Sequence, residues 1–322
     1  MPDDREAAAV AAFQGRAKKN LSRLSSWRRR EGVSCFRLYD RDMPELPLAV
    51  DVFGAEDGTT YLHLIGWAPK HGGGAAFLAL CEAVAHSAAV VVGANVQNVN
   101  VQLREPGVGG ELDAENLEQS QHTFVVREGL GRFLIRLGAR RDPGLFLDHR
   151  PTRQRVVDVA DGKRVLNVFG YTGSFSVLAG LAGARRTRTV DLSASTVRWA
   201  AENLELNGLS GPQHDIVRAD ALSYFDDVNA GSWDIIVIDP PSFSKSRSGR
   251  PFDVSRDHPT LLRQAATALA AGGQIIFSCN RRGFAVDLGG LNDEFVVDNV
   301  TKETTPPDFR GEPHHAFVLR RR

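Results

Sequence analysis

The sequence predicts an α/β protein in which a small α+β domain precedes a doubly wound, mostly parallel sheet. Three observations predict it. From Arg164 onward, short apolar runs of strand type alternate with stretches of helical periodicity. One such unit, Arg164 to Asp191, runs strand, small-residue turn, helix, strand. Each strand of the parallel set also ends on small or polar residues, where open α/β sheets bind ligands.

Taken in order, residues 1–31 are helix-prone and lopsided. Between Arg16 and Arg30 stand seven basic residues (Arg16, Lys18, Lys19, Arg23, Arg28, Arg29, Arg30) and no acid. Phe13, Leu21, Leu24 and Trp27 supply an apolar edge. The stretch reads as a helix that packs by that edge and shows cations to RNA phosphates, with a merely solvated face as the alternative. Strands follow at 36–39 and 49–53 around a Pro-rich turn, then at 61–65, 99–103, 123–127 and 130–137. Residues 70–74 read as a loop, Ala75 to Ser87 as a helix, and 105–122 as a Gly-rich, acidic connection. The most apolar stretch, Ala75 to Ala94, contains Glu82 and His86 and reads as buried helix and strand rather than a membrane span.

A compact segment, Gly144-Leu-Phe-Leu-Asp-His-Arg150, precedes a helix from Pro151 to Ala160 with Pro at its first turn. His149, a lone His beside two charged residues, reads as structural rather than as a base. Strands then fit 164–169, 187–190, 214–218, 233–238 and 273–278, with helices at 174–182, 193–207, 221–228 and 257–270. The last pieces, Glu294 to Val300 and Ala316 to Arg320, are strand-like with little helix between them, so the final strand is expected to enter antiparallel.

The carboxyl ends carry the chemistry. Gly170 and Gly173 in the first turn let backbone approach a ligand closely, and the following helix offers unpaired N–H groups. Asp191, about 20 residues beyond that turn, is placed to accept from both hydroxyls of a ribose. The turn is not G-x-G-x-x-G, so a single nucleoside with a short tail, such as S-adenosylmethionine (SAM), fits better than a dinucleotide. A βαβ unit with a tight turn and no ligand is the plainer alternative. Asp220, at the third strand end, could accept from an adenine amino group. Asp239-Pro-Pro-Ser-Phe243 is the most specific signal: its prolines stiffen the backbone, its carboxylate faces one spot, and its aromatic ring can stack on a base.

Composition sets limits. The chain has 322 residues, enough for two cores. Lys+Arg and Asp+Glu both number 39, so any case for nucleic acid must come from local patches. Cys35, Cys81 and Cys279 are scattered and odd in number, with neither disulfide nor metal-ligand spacing. The opening Met-Pro-Asp-Asp-Arg-Glu is no secretory signal, so a cytoplasmic location and no membrane association are expected.

With these motifs placed, a family resemblance emerges. Val165–Ser174, Asp191, Asp220 and Asp239–Phe243 resemble the SAM-binding and target-base motifs of class I RNA methyltransferases. Cys35–Asp40, Gly144–Arg150, Asn167–Ser174, Arg256-Asp-His258 and Asn280–Phe284 resemble one subgroup, the guanine-N7 methyltransferases of large-subunit (23S) ribosomal RNA, over nearly the whole chain from about Phe13. The stretch of likeness includes neither the THUMP domain and second methyltransferase of fused members nor a PUA domain. The resemblance implies a seven-stranded Rossmann-like class I sheet with its last strand antiparallel. It also implies a basic helical segment at 1–34, an RNA-binding or substrate domain at 35–140, and a methyltransferase domain at 141–322. Asp148, Asn167, Gly170, Gly173, Asp191 and Asp220 would bind SAM; Asp239, Pro240 and Phe243 would face the target base. Arg16, Lys18, Lys19, Arg28, Arg29, Arg30 and Lys245 would contact the RNA. Cys279 stands where Asn is expected. Related cytosine-C5 methyltransferases place a nucleophilic Cys in a similar Phe-Ser-Cys setting, so cytosine C5 is the alternative target. A non-catalytic RNA-binding protein and a small-molecule methyltransferase are further alternatives, the latter disfavoured by Lys245, Arg247 and Arg250 beside the Asp239 motif.

Overall fold

The computed structural model describes residues 4–68, 74–104, 121–140, 142–244 and 251–322. Residues 105–120 of the expected connection at 105–122, residues 70–73 of the expected loop at 70–74, and Lys245, Arg247 and Arg250 lie outside the described residues. The chain divides into two compact units, 1–147 with 307–310, and 148–306 with 311–322.

In the first unit a long helix, α1 (Asp4–Glu31), precedes β1 (Cys35–Asp40), β2 (Leu48–Gly54), β3 (Thr60–Trp67), α2 (Gly74–Val92) and β4 (Val99–Arg104). The strands pair in sequence order, antiparallel until β4, which joins β3 in parallel through the α2 crossover. A hairpin, β5 (His122–Glu128) and β6 (Gly131–Leu137), bridges to Ala55 through Val126. Phe13, Ala17, Leu24 and Trp27 of α1 recur at helical spacing and are buried in one cluster with α2 and the sheet. The stretch expected as helix and strand at 75–94 is a single helix. Its Ala content favours helix strongly enough to carry the β-branched Val90–Val92 along. α2 is long and apolar enough to cross a membrane by length and composition. Here Phe77, Cys81, Val84, Ala85, Ala88 and Ala89 spend that apolarity on the core cluster.

The second unit opens with α3 (Arg150–Val157), then alternates β7 (Arg164–Val168), α4 (Ser174–Leu181), β8 (Arg186–Asp191), α5 (Ala194–Leu206), β9 (His214–Arg218), α6 (Ala221–Asp226) and β10 (Trp233–Ile238). A short ribbon, β11 (Phe243–Ser244) with β12 (Phe252–Asp253), leads into α7 (Val254–Ala268) and β13 (Leu269–Cys279). β14 (Phe295–Asn299), α8 (Thr301–Thr304) and β15 (His315–Arg321) close it. The seven-stranded sheet has the order β14-β15-β13-β10-β7-β8-β9. Strands β13, β10, β7, β8 and β9 are parallel, and β15 enters antiparallel between β13 and β14, as the sequence led one to expect. The continuous apolar runs Val165-Leu166 and Ile235–Ile238 are buried because helices cover both faces. The order reverses at β7, with β8 on one side and β10 on the other, and this switch point opens the crevice that binds ligands in such sheets.

Candidate active site

The turn after β7 is held in an unusual backbone. Phe169 and Tyr171 have φ of 56° and 49°, and Gly173 has φ of 77°. Side chains disfavour this left-handed region by roughly 1–2 kcal/mol per residue, so the surroundings must impose it. They do: Gly170 N donates to Val190 O, Tyr171 N to Asp191 Oδ2, Gly173 N to Gly170 O, and Asn203 Nδ2 to Thr172 O, at 2.8–3.0 Å. Strained backbone of this kind concentrates at ligand clamps and active sites, and this turn lies at the topological switch point. Gly173 caps α4 without a side chain of its own, which leaves the first-turn amides to backbone, water or a bound group.

Two of the expected residues also carry structural duties here. Gly170 was expected to admit a ligand. Its φ is not positive, and a Cβ there would lie 2.4 Å from Thr189 Cγ2, so the glycine serves the close packing of the turn against β8. Asp191 was expected to accept from both hydroxyls of a ribose. Its Oδ2 accepts from Tyr171 N, and its Oδ1 accepts from Ser193 N at 2.9 Å and Thr196 Oγ1 at 2.7 Å. It therefore staples the turn to the start of α5. Asp220 is exposed and its Oδ1 caps α6 through Leu222 N and Ser223 N. Asn167 is 1% exposed within β7; its Nδ2 donates to Ser176 Oγ, while its Oδ1 has no protein partner.

The far side of the crevice is built on the Asp239 motif. Ser278 Oγ, on β13, donates to Asp239 Oδ1 at 2.6 Å. His149 Nε2 lies 3.4 Å from Asp239 Oδ2, and the His149 ring stacks on His314 with centroids 4.2 Å apart and planes 16° from parallel. His314 bonds Asp148 Oδ2 through Nδ1 at 3.0 Å and Thr304 Oγ1 through Nε2 at 3.2 Å. Burial holds the His149 pKa below its usual value against the raising pull of Asp239 and Asp148, with His314 and Arg153 adding to the lowering. Asp148, His149 and His314 approach closely enough to surround a cation. An imidazole ligates in its own ring plane, however, and two nearly parallel stacked rings do not share a point in both planes. The cluster as arranged suits hydrogen bonding. The sequence signal for His314 was nil, since it stands 166 residues from Asp148.

The other motif residues separate by exposure. Pro240 is buried and shapes the backbone, whereas Phe243 is 53% exposed and offers its ring. Ser242 Oγ donates to Asn280 Oδ1 at 2.7 Å, joining this motif to the end of β13. Cys279 is 0% exposed, and burial pushes its thiol up to about 11. Two buried polar atoms at this end of the sheet, Asn167 Oδ1 and His149 Nδ1, have no protein partner and could be satisfied by a bound polar group.

Residues 74–310 match the family described as S-adenosylmethionine-dependent methyltransferase. The chain belongs to this family. As a SAM-dependent methyltransferase it is similar to the ribosomal RNA large subunit methyltransferase K/L of Alteromonas mediterranea. The two are 40% identical over 96% of this chain and 44% of that protein. It is likewise similar to the ribosomal RNA large subunit methyltransferase K of Neisseria meningitidis, 38% identical over 95% of this chain and 86% of that protein. The chain thus spans less than half the length of the K/L relatives it matches. Among solved structures, SMU.776 in complex with SAH shares the fold, with TM-score 0.76 and 22% identity over 97% of this chain and 81% of that one. SAM is the cofactor of this methyltransferase, and the strained turn, Asp191 and the two unsatisfied polar atoms suit a bound nucleoside with a charged tail.

The basic residues of α1 are not equivalent. Arg16, Lys18, Lys19 and Arg29 are exposed, and Arg30 is exposed beside Glu31 at 3.0 Å. Arg28 departs from expectation: its guanidinium lies 3.7 Å over the Phe36 ring, its Nε donates to Val33 O, and burial lowers its pKa. It packs the helix onto β1 rather than presenting charge.

Proposed function

We propose that this methyltransferase modifies large-subunit ribosomal RNA at guanine N7, in the cytoplasm where that RNA is assembled. The names of the relatives support the RNA class. The observation that carries the atom is the pairing of an anchored carboxylate with a thiol withdrawn from the site. SAM supplies an electrophilic methyl group when bound. Guanine N7 has its own lone pair, so the chain needs no base and no covalent bond to the ring. Its task is to orient and to stabilise charge. Asp239, held by Ser278 on one oxygen and flanked by His149 on the other, keeps a negative group where a methylated guanine becomes cationic. Phe243 offers the stacking surface for the base. Cytosine C5, by contrast, needs a thiolate on the ring. Cys279 is buried and its thiol is held protonated at neutral pH, which counts against that role.

The deciding experiment maps methylated nucleotides by mass in ribosomal RNA from a deletion strain and from its complemented parent. Loss and return of one 7-methylguanosine supports the reading. Loss of a 5-methylcytosine, or of no mark, removes it.

A further inference from the structure

We propose that Arg16, Arg23 and Arg310, gathered around the Phe309 ring, form a docking pocket for one unpaired nucleotide of a single-stranded RNA segment. The proposal rests on the ribosomal RNA reading above and adds a place where the RNA is held. The pocket lies in the first unit, which includes residues 307–310. It encloses about 280 Å³ and is lined by these four residues with Asn20 and Asp42. Phe309 and Arg310 are residues that sequence patterning did not single out for RNA.

The lining has one sign of usable charge. Asp42 is its acid, with a side chain 5% exposed, and it is already engaged by Asn20 Nδ2 at 2.6 Å and Arg310 Nη1 at 3.4 Å. Three guanidiniums against one carboxylate leave the lining a formal excess of two positive charges in a chain whose net charge is +0. Arg23 and Arg310 are also oriented in advance. Arg23 Nη1 donates to Pro307 O at 3.0 Å, and Arg310 donates to Asp42 O through Nη1 at 3.0 Å and to Asp40 Oδ2 through its backbone N–H at 3.2 Å. Each guanidinium has five donors, so one such bond positions it while leaving most of its fork for phosphate oxygens.

Phe309 makes the pocket more than an anion site. The Arg37 guanidinium packs over its ring at 4.3 Å, and Arg37 is itself locked to Asp51 by bonds of 2.8 and 2.9 Å. The half-buried ring is thus a fixed platform, and unstacked bases bind such platforms regardless of sequence. The charge continues along α1. Arg16, Lys19, Arg23 and Arg30 are spaced by three, four and seven residues, which puts them within a roughly 60° arc running roughly 21 Å along the helix. Lys18 and Arg29 point away from that arc by the same geometry.

The test measures binding of a labelled single-stranded RNA of about 16 nucleotides to the full chain as a function of salt, with SAM affinity and melting temperature as fold controls. Arg16→Ala/Arg23→Ala is expected to weaken binding at least tenfold and to flatten the log–log salt slope by about 1.4, the share of two single-strand phosphate contacts. Phe309→Leu is expected to weaken binding roughly 5- to 150-fold, the worth of one base–aromatic stack, without changing the slope. Should the alanine pair fail its fold controls, Arg16→Gln/Arg23→Gln keeps the polar stems and must show the same slope change. Lys18→Ala/Arg29→Ala removes the same charge from the other flank and is expected to do much less. Equal weakening by both pairs overturns the pocket in favour of a diffuse field. Unaltered binding in the Phe309 and arginine variants overturns the pocket and leaves the RNA reading standing. A parent chain that binds SAM but no RNA at any salt overturns both.

Discussion

Cys279 shows how one side chain's surroundings decide its chemistry. A nucleophile must reach its target as a thiolate, and this thiol is enclosed at the end of β13 and pushed to about 11. Cys279→Ala is therefore expected to keep methyl transfer within about tenfold, a loss of at most about 1.4 kcal/mol. RNA containing 5-fluorocytosine is expected to give no denaturant-stable adduct; a covalent band that vanishes in the alanine variant would reverse this assignment. Asp191 makes the complementary point. Because it holds Tyr171, Ser193 and Thr196, Asp191→Ala should lower SAM affinity by roughly 1–3 kcal/mol and also lower the melting temperature of the SAM-free protein. Calorimetry showing unchanged SAM affinity would remove the carboxylate from the cofactor site.

The decisive element is the β7–turn–α4 unit with β8 beside it. The sequence shows two glycines in its turn, but only their packing separates their roles. Gly173 needs its positive φ, whereas Gly170 needs the absence of a Cβ against Thr189. Gly170→Ala should overpack this contact and destabilise the protein by roughly 1–3 kcal/mol. Thr189→Ser deletes the opposing Cγ2, so the double variant should recover part of both stability and SAM affinity. A double-mutant cycle in which the two changes simply add would argue instead that Gly170 acts on the ligand. A second element carries a related lesson. Pro259 stands inside α7, and His258 Nδ1 donates to Val254 O at 2.6 Å, while Asp287 N donates to its Nε2 at 2.8 Å. The Arg256-Asp-His258 motif thereby clamps the segment after β13 onto the helix that precedes it.

For the whole molecule, buried histidines set an acid limit. His63, His149 and His258 all have pKa values lowered from 6.5, in each case chiefly by burial. A group whose folded pKa lies below its unfolded one binds fewer protons in the native state, so unfolding becomes easier as pH falls below about 6.5 and is unaffected through these groups above it. The melting temperature should therefore drop between about pH 7.5 and about pH 5.5, well above the range in which Asp234, held low by its bonds to Arg164, loses its charge. A midpoint that stays level or rises over that interval would mean the three rings are not held neutral.

Much of this architecture was legible in the sequence because it depends on near neighbours. Alternating runs from Arg164 to Ala268 reproduce the strands and helices within a few residues, and the small-residue turn and Asp239-Pro-Pro-Ser-Phe243 mark the ligand end of the sheet. Periodicity and turn composition are local, and a one-dimensional pattern records them directly. What the tertiary structure decided are the meetings between distant segments. The insertion of β15 between β13 and β14 brings His314 to Asp148 and stacks it on His149, making an apparently structural histidine the neighbour of Asp239. Helix packing turns Arg28 onto Phe36 and sets Arg16 and Arg23 beside Phe309 and Arg310. Such pairings depend on sheet order and helix orientation. Those are fixed by burial summed over a whole core, so no spacing within one segment reveals them.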